Sequence, residues 1–178
     1  LLLPAFNEEK SFPPLMEKLE SVLNQTGMEF KLLVCNDGST DGTSEMLSEY
    51  SRKLPIEVIE HALNRGLGES SRDLFERAVE IGNEGDFIIR MDCDDTHEPK
   101  YIPNIISKLE QGYDVVVASR FEKGGGQLGV EGYRAIISRC ANIFMKIFFP
   151  ISGLKEYSCG YRGYRYKKIS EAMKFFGN

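Results

Sequence analysis

Residues 87–99 constrain the fold of this chain more than any other stretch. They begin as a short, mostly apolar run and continue into three carboxylates within four positions, Asp92, Asp94 and Asp95. Such a run predicts a buried strand, and the residues after it are expected at the exposed carboxyl end of that strand. The stretch therefore predicts a functional site at the edge of a sheet.

The spacing of the carboxylates favours a bound cation. Two carboxylates about 4 Å apart repel by roughly 4 kcal/mol at an effective dielectric constant near 20, so such a cluster usually takes up a cation or changes its protonation. Asp92 and Asp94 can both reach one divalent ion, and Mg²⁺ typically binds one or two carboxylates together with substrate phosphates. The alternative is a solvated acidic turn before a helix that begins near Glu98 and Pro99.

The rest of the chain alternates between predicted strands and predicted helices, which is the pattern of an α/β domain. Besides the start of 87–99, strands are predicted at residues 1–3, 30–35, 56–60 and 115–119. Helices are predicted after residue 9, with Pro13 and Pro14 in the first turn, then at 43–53, after the loop 64–68, at about 101–110 and at 133–151. The 178 residues suffice for one domain with a proper core.

Composition excludes several classes of protein. The net charge of -5 argues against a generic nucleic-acid binder. The four cysteines form no Cys-x-x-Cys pair, which argues against a zinc site and a dense disulfide framework and favours a reduced, cytosolic setting. The chain starts inside an apolar run without Met and has no signal-peptide layout, so we expect a fragment truncated at both ends.

Polar loops follow the predicted strands, and one of them is rich in glycine. Gly66 and Gly68 precede a predicted helix, an arrangement that suits an anion-binding bend. The loop lacks the full dinucleotide fingerprint and the Gly-Lys-Ser/Thr ending of a P-loop, so by itself it is better interpreted as a plain turn.

Four of these loops match one family in order and spacing. They are Pro4-Ala5-Phe6-Asn7-Glu8, Asn36-Asp37-Gly38-Ser39-Thr40-Asp41, Asn64-Arg65-Gly66-Leu67-Gly68 and Asp92-Cys93-Asp94. In these motifs the chain resembles a family-2 glycosyltransferase of the GT-A fold. Ala118-Ser119-Arg120, the glycine-rich loop 123–126, residues 134–139 and Ser158-Cys159-Gly160-Tyr161-Arg162 resemble dolichyl- and polyprenyl-phosphate sugar transferases. The resemblance implies a single α/β catalytic domain over 1–178, GT-A (Rossmann-like), with a mostly parallel central sheet flanked by helices.

The resemblance also implies roles for individual residues. Asp37 is expected to accept a hydrogen bond from the base of the nucleotide. Asp92 and Asp94 are expected to hold Mg²⁺ or Mn²⁺. The nucleotide-binding set is expected to be Pro4, Phe6, Glu8, Cys35, Asp37, Arg65, Asp92 and Cys93. The catalytic set is expected to be Asp94, Arg120 and Arg134, and the acceptor-side set Arg139, Tyr161 and Arg162.

Some of these residues could have a structural role instead of the functional one. A turn aspartate can cap the following helix, a role that Asp41 suits better than Asp37. Arg120 and Arg134 are expected to face phosphate groups, and the alternative is that they are surface arginines. The chain also departs from the family pattern at four positions: Phe6 replaces Tyr, Thr96 replaces Gln, Tyr133 replaces Trp and Glu156 replaces Asp.

The implied reaction is a metal-dependent, inverting transfer of a mannose- or glucose-type sugar from a GDP- or UDP-linked donor to a polyprenyl or dolichyl phosphate. The oxygen of a lipid phosphate is already anionic, so positioning and charge neutralisation suffice without a general base. The expected location is the cytoplasmic face of a membrane, peripheral or anchored by segments outside this chain. One alternative is a family-2 enzyme with a saccharide or soluble acceptor, and another is an inactive nucleotide-sugar-binding module.

Residues 133–151 are predicted to form an amphipathic helix at the membrane surface. Apolar residues recur on one side, among them Ile136, Phe144 and Phe148, while Arg139 and Lys146 lie on another. A basic amphipathic helix suits an interface, and its charges argue against a membrane span. The alternative is that this helix packs on the sheet.

Overall fold

The computed structural model describes residues 1–122, 125 and 132–176, and the side chains of 132–135 and 176 lie outside that description. The described elements are β1 Leu2–Ala5, α1 Phe12–Thr26, β2 Leu32–Asn36, α2 Thr43–Tyr50, β3 Ile56–Glu60, α3 Leu67–Ile81, β4 Phe87–Arg90, a 3₁₀ turn Pro99–Tyr101, α4 Ile102–Glu110, β5 Val115–Val117, α5 Gly132–Phe148, β6 Arg162–Arg165 and α6 Tyr166–Phe176.

Six strands form one sheet in the order β3-β2-β1-β4-β6-β5. The pairs β1–β2, β1–β4 and β2–β3 are parallel, and β4–β6 is antiparallel. The α/β class with a mostly parallel sheet is therefore confirmed. Because β1, β2, β3 and β4 run in one direction, the loops that follow them meet at one edge of the sheet.

Both faces of the sheet carry buried apolar side chains, because successive residues of a strand point to opposite faces. On one face Leu2 and Leu33 pack with Leu74 and Ala78 of α3. Gly163 of β6 lies against Ile105 and Leu109 of α4, and its register partner in β4 is Ile89.

Several predicted boundaries need correction. β5 ends at Val117 rather than 119, and α2 ends at Tyr50 rather than 53. The sequence interpretation missed β6 and α6 altogether. The two prolines of α1 do lie in its first turn, where the missing N–H groups cost nothing.

The described chain divides into two compact units. The first contains residues 1–116 and 161–178, and the second contains residues 117–160. Among the described residues no helix is both long and apolar enough to cross a membrane.

Candidate active site at the carboxyl edge of the sheet

The acidic loop after β4 lies beside the loop after β1, because β1 and β4 are neighbours with Leu2 paired to Arg90. Burial raises the pKa of Glu8, and the charges of Asp94 and Asp92 raise it further against a hydrogen bond from Ser11. The charges of Asp92 and Asp94 therefore act on Glu8 of the neighbouring loop, a proximity that the sequence analysis did not predict.

Among these three carboxylates, Asp92 has unmet bonding capacity. Arg90 Nη2 lies 2.8 Å from Asp92 Oδ1 but makes no hydrogen bond to it. Within the described part of the chain, this buried oxygen has no hydrogen-bond partner. The backbone N–H of Asp92 donates to His97 Nδ1 at 3.0 Å, so the ring nitrogen that carries the proton is Nε2, which lies 3.7 Å from Asp92 Oδ2.

Asp94 and Asp95 shape the turn that follows. Asp94 Oδ1 accepts from the Thr96 backbone N–H at 3.1 Å and from its hydroxyl at 2.6 Å. Asp95 has a left-handed backbone with φ 56°, a conformation that Asp tolerates better than most residues. Thr96, at a position where Gln was expected, thus fixes the orientation of Asp94.

The donor set at this edge fits a hard divalent cation. No three His, Cys, Asp or Glu side chains among the described residues are grouped as a metal cage. Mg²⁺ does not require one, since it keeps several waters and binds through one or two carboxylates and substrate phosphates. Asp92 Oδ1, which has an ion pair with Arg90 but no hydrogen bond in the described structure, is a suitable ligand for such an ion.

The residues predicted to bind the nucleotide lie along the same edge. Pro4 pairs in register with Cys35 inside the sheet, and both are buried. Phe6 lies just beyond β1 with 43% of its surface exposed. Burial, followed by the charges of Glu8 and Asp92, raises the pKa of Cys93 well above its usual value, so Cys93 stays a neutral thiol.

The loops after β1 and β2 are joined by hydrogen bonds. Asn7 Oδ1 accepts from the Thr40 N–H at 2.8 Å, and the Asn7 N–H donates to Ser39 Oγ at 2.9 Å. Asp41 Oδ1 accepts from the backbone N–H of Thr43, the first residue of α2. The N-cap position of α2 is Gly42 and has no side-chain cap hydrogen bond, so Asp41 binds the first helical N–H from one residue before the cap that the sequence predicted for it.

Asp37 is almost fully buried and already holds three donors. Its Oδ1 accepts from the Arg65 N–H at 2.9 Å and lies 2.6 Å from His61 Nδ1, and its Oδ2 accepts from the Gly66 N–H at 2.8 Å. Asp73 Oδ2 lies 2.8 Å from the other ring nitrogen of His61. Sequence reasoning missed His61 and Asp73. One signal was available for Asp73: Arg65, Glu69 and Asp73 recur every fourth residue.

Tyr161 and Arg162, predicted on the acceptor side, belong to the first unit. Tyr161 is 2% exposed, stacks on the His97 ring at 5.1 Å and donates from its hydroxyl to the Glu98 carbonyl oxygen at 3.2 Å. Arg162 begins β6 opposite Arg90. Both residues therefore support the strand and loop that carry Asp92.

In the second unit Arg120 is bound by Glu156, which is fully buried. Glu156 Oε2 accepts from the Arg120 backbone N–H at 2.7 Å, and Oε1 accepts from Arg120 Nε at 2.6 Å and also from Nη2. The Arg120 guanidinium, predicted to face phosphate, thus has a protein partner on one side. The Arg134 side chain and most of the glycine-rich loop lie outside the described residues, whereas Arg139 is exposed on α5.

A mostly parallel sheet flanked by helices, with acidic residues after a central strand, is the architecture of the GT-A fold. The sequence model of glycosyl transferase family 2 matches residues 1–172, and the chain belongs to that family.

Curated relatives agree with this assignment. The chain is 30% identical over 175 residues to the dolichol-phosphate mannosyltransferase of Pyrococcus furiosus, covering 98% of this chain and 47% of the relative. It is also 30% identical over 175 residues to the undecaprenyl-phosphate 4-deoxy-4-formamido-L-arabinose transferase of Pseudomonas aeruginosa strain LESB58, covering 97% and 48%. The chain thus spans about half the length of these relatives.

A solved structure supports the fold independently. The chain superposes with a TM-score of 0.64 on glucosyl-3-phosphoglycerate synthase from Mycobacterium tuberculosis, crystallised with Mn²⁺, UDP and phosphoglyceric acid. The match covers 93% of this chain and 55% of that protein at 19% identity.

Proposed function

We propose that the protein containing this chain transfers a sugar from a GDP- or UDP-linked donor to a polyprenyl or dolichyl phosphate, with inversion at the anomeric carbon. The observation that carries the proposal is the placement of Asp92 and Asp94 at the carboxyl edge of the sheet, where the buried Asp92 Oδ1 has an ion pair with Arg90 but no hydrogen bond among the described residues. A divalent ion bound there would offset charge on the departing nucleoside diphosphate. Asp92 and Asp94 would hold this ion, and Thr96 would keep Asp94 oriented.

The acceptor class is supported by the relatives and by chemistry. Two relatives at 30% identity are named for dolichol phosphate and undecaprenyl phosphate acceptors. A phosphate oxygen is anionic at neutral pH, so attack on the anomeric carbon needs no proton removal, and the phosphate only has to be positioned. Arginine guanidinium groups suit that task because they bind phosphate with several N–H donors, and Arg120 and Arg134 are the candidates in this chain.

The exposed apolar face of α5 supports a membrane surface as the place of reaction. The exposed large apolar residues of α5 are Ile136, Ile137, Ile143, Phe144, Ile147 and Phe148, and Phe149 and Ile151 extend this surface beyond the helix. Single exposed apolar residues are normal, but a contiguous set marks an interaction site. Arg139 and Lys146 are also exposed, which suits anionic headgroups. The helix would therefore lie on the cytoplasmic membrane surface.

The direct test compares two acceptors with the full-length protein. A polyprenyl phosphate should be glycosylated in the presence of Mg²⁺ or Mn²⁺, with UDP- and GDP-sugars tried in parallel, and the corresponding polyprenol should not. Equal use of the alcohol would indicate a general base and a saccharide-type acceptor. Nucleotide binding without transfer to either acceptor would indicate an inactive binding module.

A further inference from the structure

The imidazole of His61 is held between two carboxylates at the end of β3. Nδ1 lies 2.6 Å from Asp37 Oδ1, and Nε2 lies 2.8 Å from Asp73 Oδ2. An ionised carboxylate only accepts hydrogen bonds, so both ring nitrogens must carry a proton for both bonds to form. With both carboxylates ionised, this geometry is that of the cationic imidazolium. Only 9% of His61 is exposed, so this charge is held away from solvent.

The charged groups around His61 come from every element packed against it. Asp37 lies at the end of β2, Asp73 lies on α3, and Arg65 Nη1 is 3.5 Å from Nε2 in the intervening loop. Burial lowers the pKa of His61, but the hydrogen bonds to Asp37 and Asp73 outweigh it, so the pKa is raised overall. The Cys35 sulfur lies 3.5 Å from Nε2, and burial raises the pKa of Cys35 to about 11, so that this thiol stays neutral.

Carboxylates outnumber cations in this cluster. The carboxylates of Asp37 and Asp73 face the imidazolium of His61 and the guanidinium of Arg65, which is 3.0 Å from Asp73 Oδ2, and Glu69 pairs with the same guanidinium at 2.8 Å. A buried carboxylate is stable only when it is paired and hydrogen-bonded. Loss of the proton from His61 would leave three carboxylates and one guanidinium, and Asp37 would lose the charged partner that it has among the described residues.

The loop between β3 and α3 also depends on the charge of His61, because it is bound to Asp37. The same carboxylate that pairs with His61 accepts from the backbone N–H groups of Arg65 and Gly66. The loop approaches the β2 loop so closely that a Cβ on Gly38 would lie 2.5 Å from the Leu63 carbonyl carbon. The orientation of Asp37 and the path of residues 63–66 are thus set together.

We propose that His61 is a positioning residue for nucleotide binding: as an imidazolium held by Asp73, it fixes Asp37 and the loop 63–66 in the arrangement that receives the base of the donor. This inference rests on the proposed function and deepens it, since it makes donor affinity depend on the protonation of one histidine. Affinity should therefore be highest where His61 is charged and should fall as pH rises through its titration.

The experiment measures the His61 ring and nucleotide affinity on the same samples. The sequence contains two histidines, His61 and His97, so nitrogen-15 NMR of the rings separates them readily. The affinities for UDP and GDP with Mg²⁺ are measured by calorimetry over the same pH series. Asp73→Asn removes one partner of His61. Glu69→Gln is the matched control, because Glu69 lies on α3 like Asp73 and pairs with Arg65 rather than with His61.

In the wild type we expect both ring nitrogens of His61 to be protonated above the ordinary titration range of histidine, and affinity to fall at the same midpoint. Asp73→Asn should lower the midpoint pH of the His61 titration and that of nucleotide affinity together. At pH values between the midpoints of the variant and of the wild type, the variant should bind the nucleotide about tenfold more weakly, which corresponds to about 1.4 kcal/mol. Glu69→Gln should leave both midpoints in place.

Two results would overturn the proposal. One is a wild-type His61 that titrates at or below the ordinary range, and the other is an affinity midpoint that stays fixed while Asp73→Asn moves the ring titration. A wild type that binds neither UDP nor GDP at any pH would remove the positioning role together with the proposed function. If binding fails only in Asp73→Asn, the proposed function stands.

Discussion

Lys18 and Asp95 join the first helix to the acidic loop. Lys18 Nζ lies 2.8 Å from Asp95 Oδ1 and 2.9 Å from Oδ2, across 77 residues of sequence. Asp95 is thereby neutralised by a neighbouring element, whereas Asp92 Oδ1, which makes no hydrogen bond in the described structure, lies 2.8 Å from Arg90 Nη2 of its own strand. Asp95 therefore anchors the loop to α1, and Asp92 and Asp94 are the two candidates for a cation.

This division predicts different effects for two substitutions in one loop. Asp94→Asn should lower transfer activity by about 100-fold or more, the scale on which a single charge-stabilising group acts, without unfolding the protein. Asp95→Asn should retain activity, because a partly exposed ion pair contributes only about 0–1 kcal/mol and Asn tolerates positive φ. The measurement is steady-state transfer with circular dichroism. Equal nucleotide affinity in Mg²⁺ and in excess chelator would contradict the cation site.

Membrane binding by α5 is tested by co-sedimentation with anionic vesicles. Phe144→Ser/Phe148→Ser should reduce binding through lost apolar burial. Arg139→Glu/Lys146→Glu should reduce it by about tenfold or more, since each basic residue near an anionic surface contributes about 1 kcal/mol. Phe175→Ser on α6 is the matched control, because this phenylalanine is also exposed. If both folded double variants bind like the parent, or the parent does not bind, α5 does not meet the membrane.

The buried Glu156 should matter for stability far more than an exposed glutamate in the same unit. Glu156→Gln leaves Arg120 without its counter-charge. The expected loss in unfolding free energy is up to about 3 kcal/mol, at the low end for a buried pair because Arg120 is partly exposed. Glu122→Gln, which removes an exposed pair with Lys155, should cost about 0–1 kcal/mol. Urea unfolding measures the unfolding free energy of both variants. Equal losses would contradict a larger contribution from the buried Glu156.

Close packing at Gly163 predicts a specific steric defect. A Cβ there would lie 2.2 Å from Ile105 Cγ2 and 3.0 Å from Leu109 Cδ1. Both are core residues, so Gly163→Ala should cost about 1–3 kcal/mol through overpacking. Gly68→Ala meets open space at the start of α3 and should stabilise the protein by about 0.4–1 kcal/mol. A Gly163→Ala variant with an unchanged unfolding midpoint would show that α4 is not packed this closely.

Asp41 predicts a pH dependence on the acid side. Burial raises the pKa of Asp41, but hydrogen bonds from the Thr43 hydroxyl and from backbone N–H groups lower it below its usual value. A group with a lowered folded pKa contributes stability above its unfolded pKa of about 3.9 and loses it as pH falls. The unfolding free energy of Asp41→Asn should therefore depend less steeply on pH between about 5 and 3 than that of the wild type. Parallel slopes would exclude this role.

The sequence predicted the elements whose signals are local. Short apolar runs located β3 and β4, and helical spacing located α1 and α3. By contrast, β6 reads Arg-Gly-Tyr-Arg, with two charges and a glycine, and it exists because its backbone completes the sheet beside β4 while Gly163 admits α4. β6 therefore depends on tertiary contacts, and its sequence contains no apolar run from which a strand could be predicted.

The candidate site divides in the same way. Asp92 and Asp94 could be predicted because they lie within four residues of the end of one strand, β4. His61 lies between Asp37 and Asp73, which are 24 residues before and 12 residues after it, and the pairing of Arg120 with Glu156 spans 36 residues. Contacts over such sequence distances could not be predicted from local patterns. The exposure of α5 was also beyond the sequence, because an amphipathic pattern is the same whether its apolar side faces a core or a membrane.

The order of the strands has a consequence for how this chain tolerates change. The second unit leaves the sheet through β5 and the chain returns through β6, its neighbour in the sheet. The Arg165 N–H bonds to the Asp114 carbonyl oxygen, so residues 117–160 begin and end at neighbouring strands of the sheet. We expect insertions, deletions or exchange within residues 117–160 to leave the register of β1 to β4 unchanged. The length and sequence of the second unit can thus vary without a change in the strand order of the sheet.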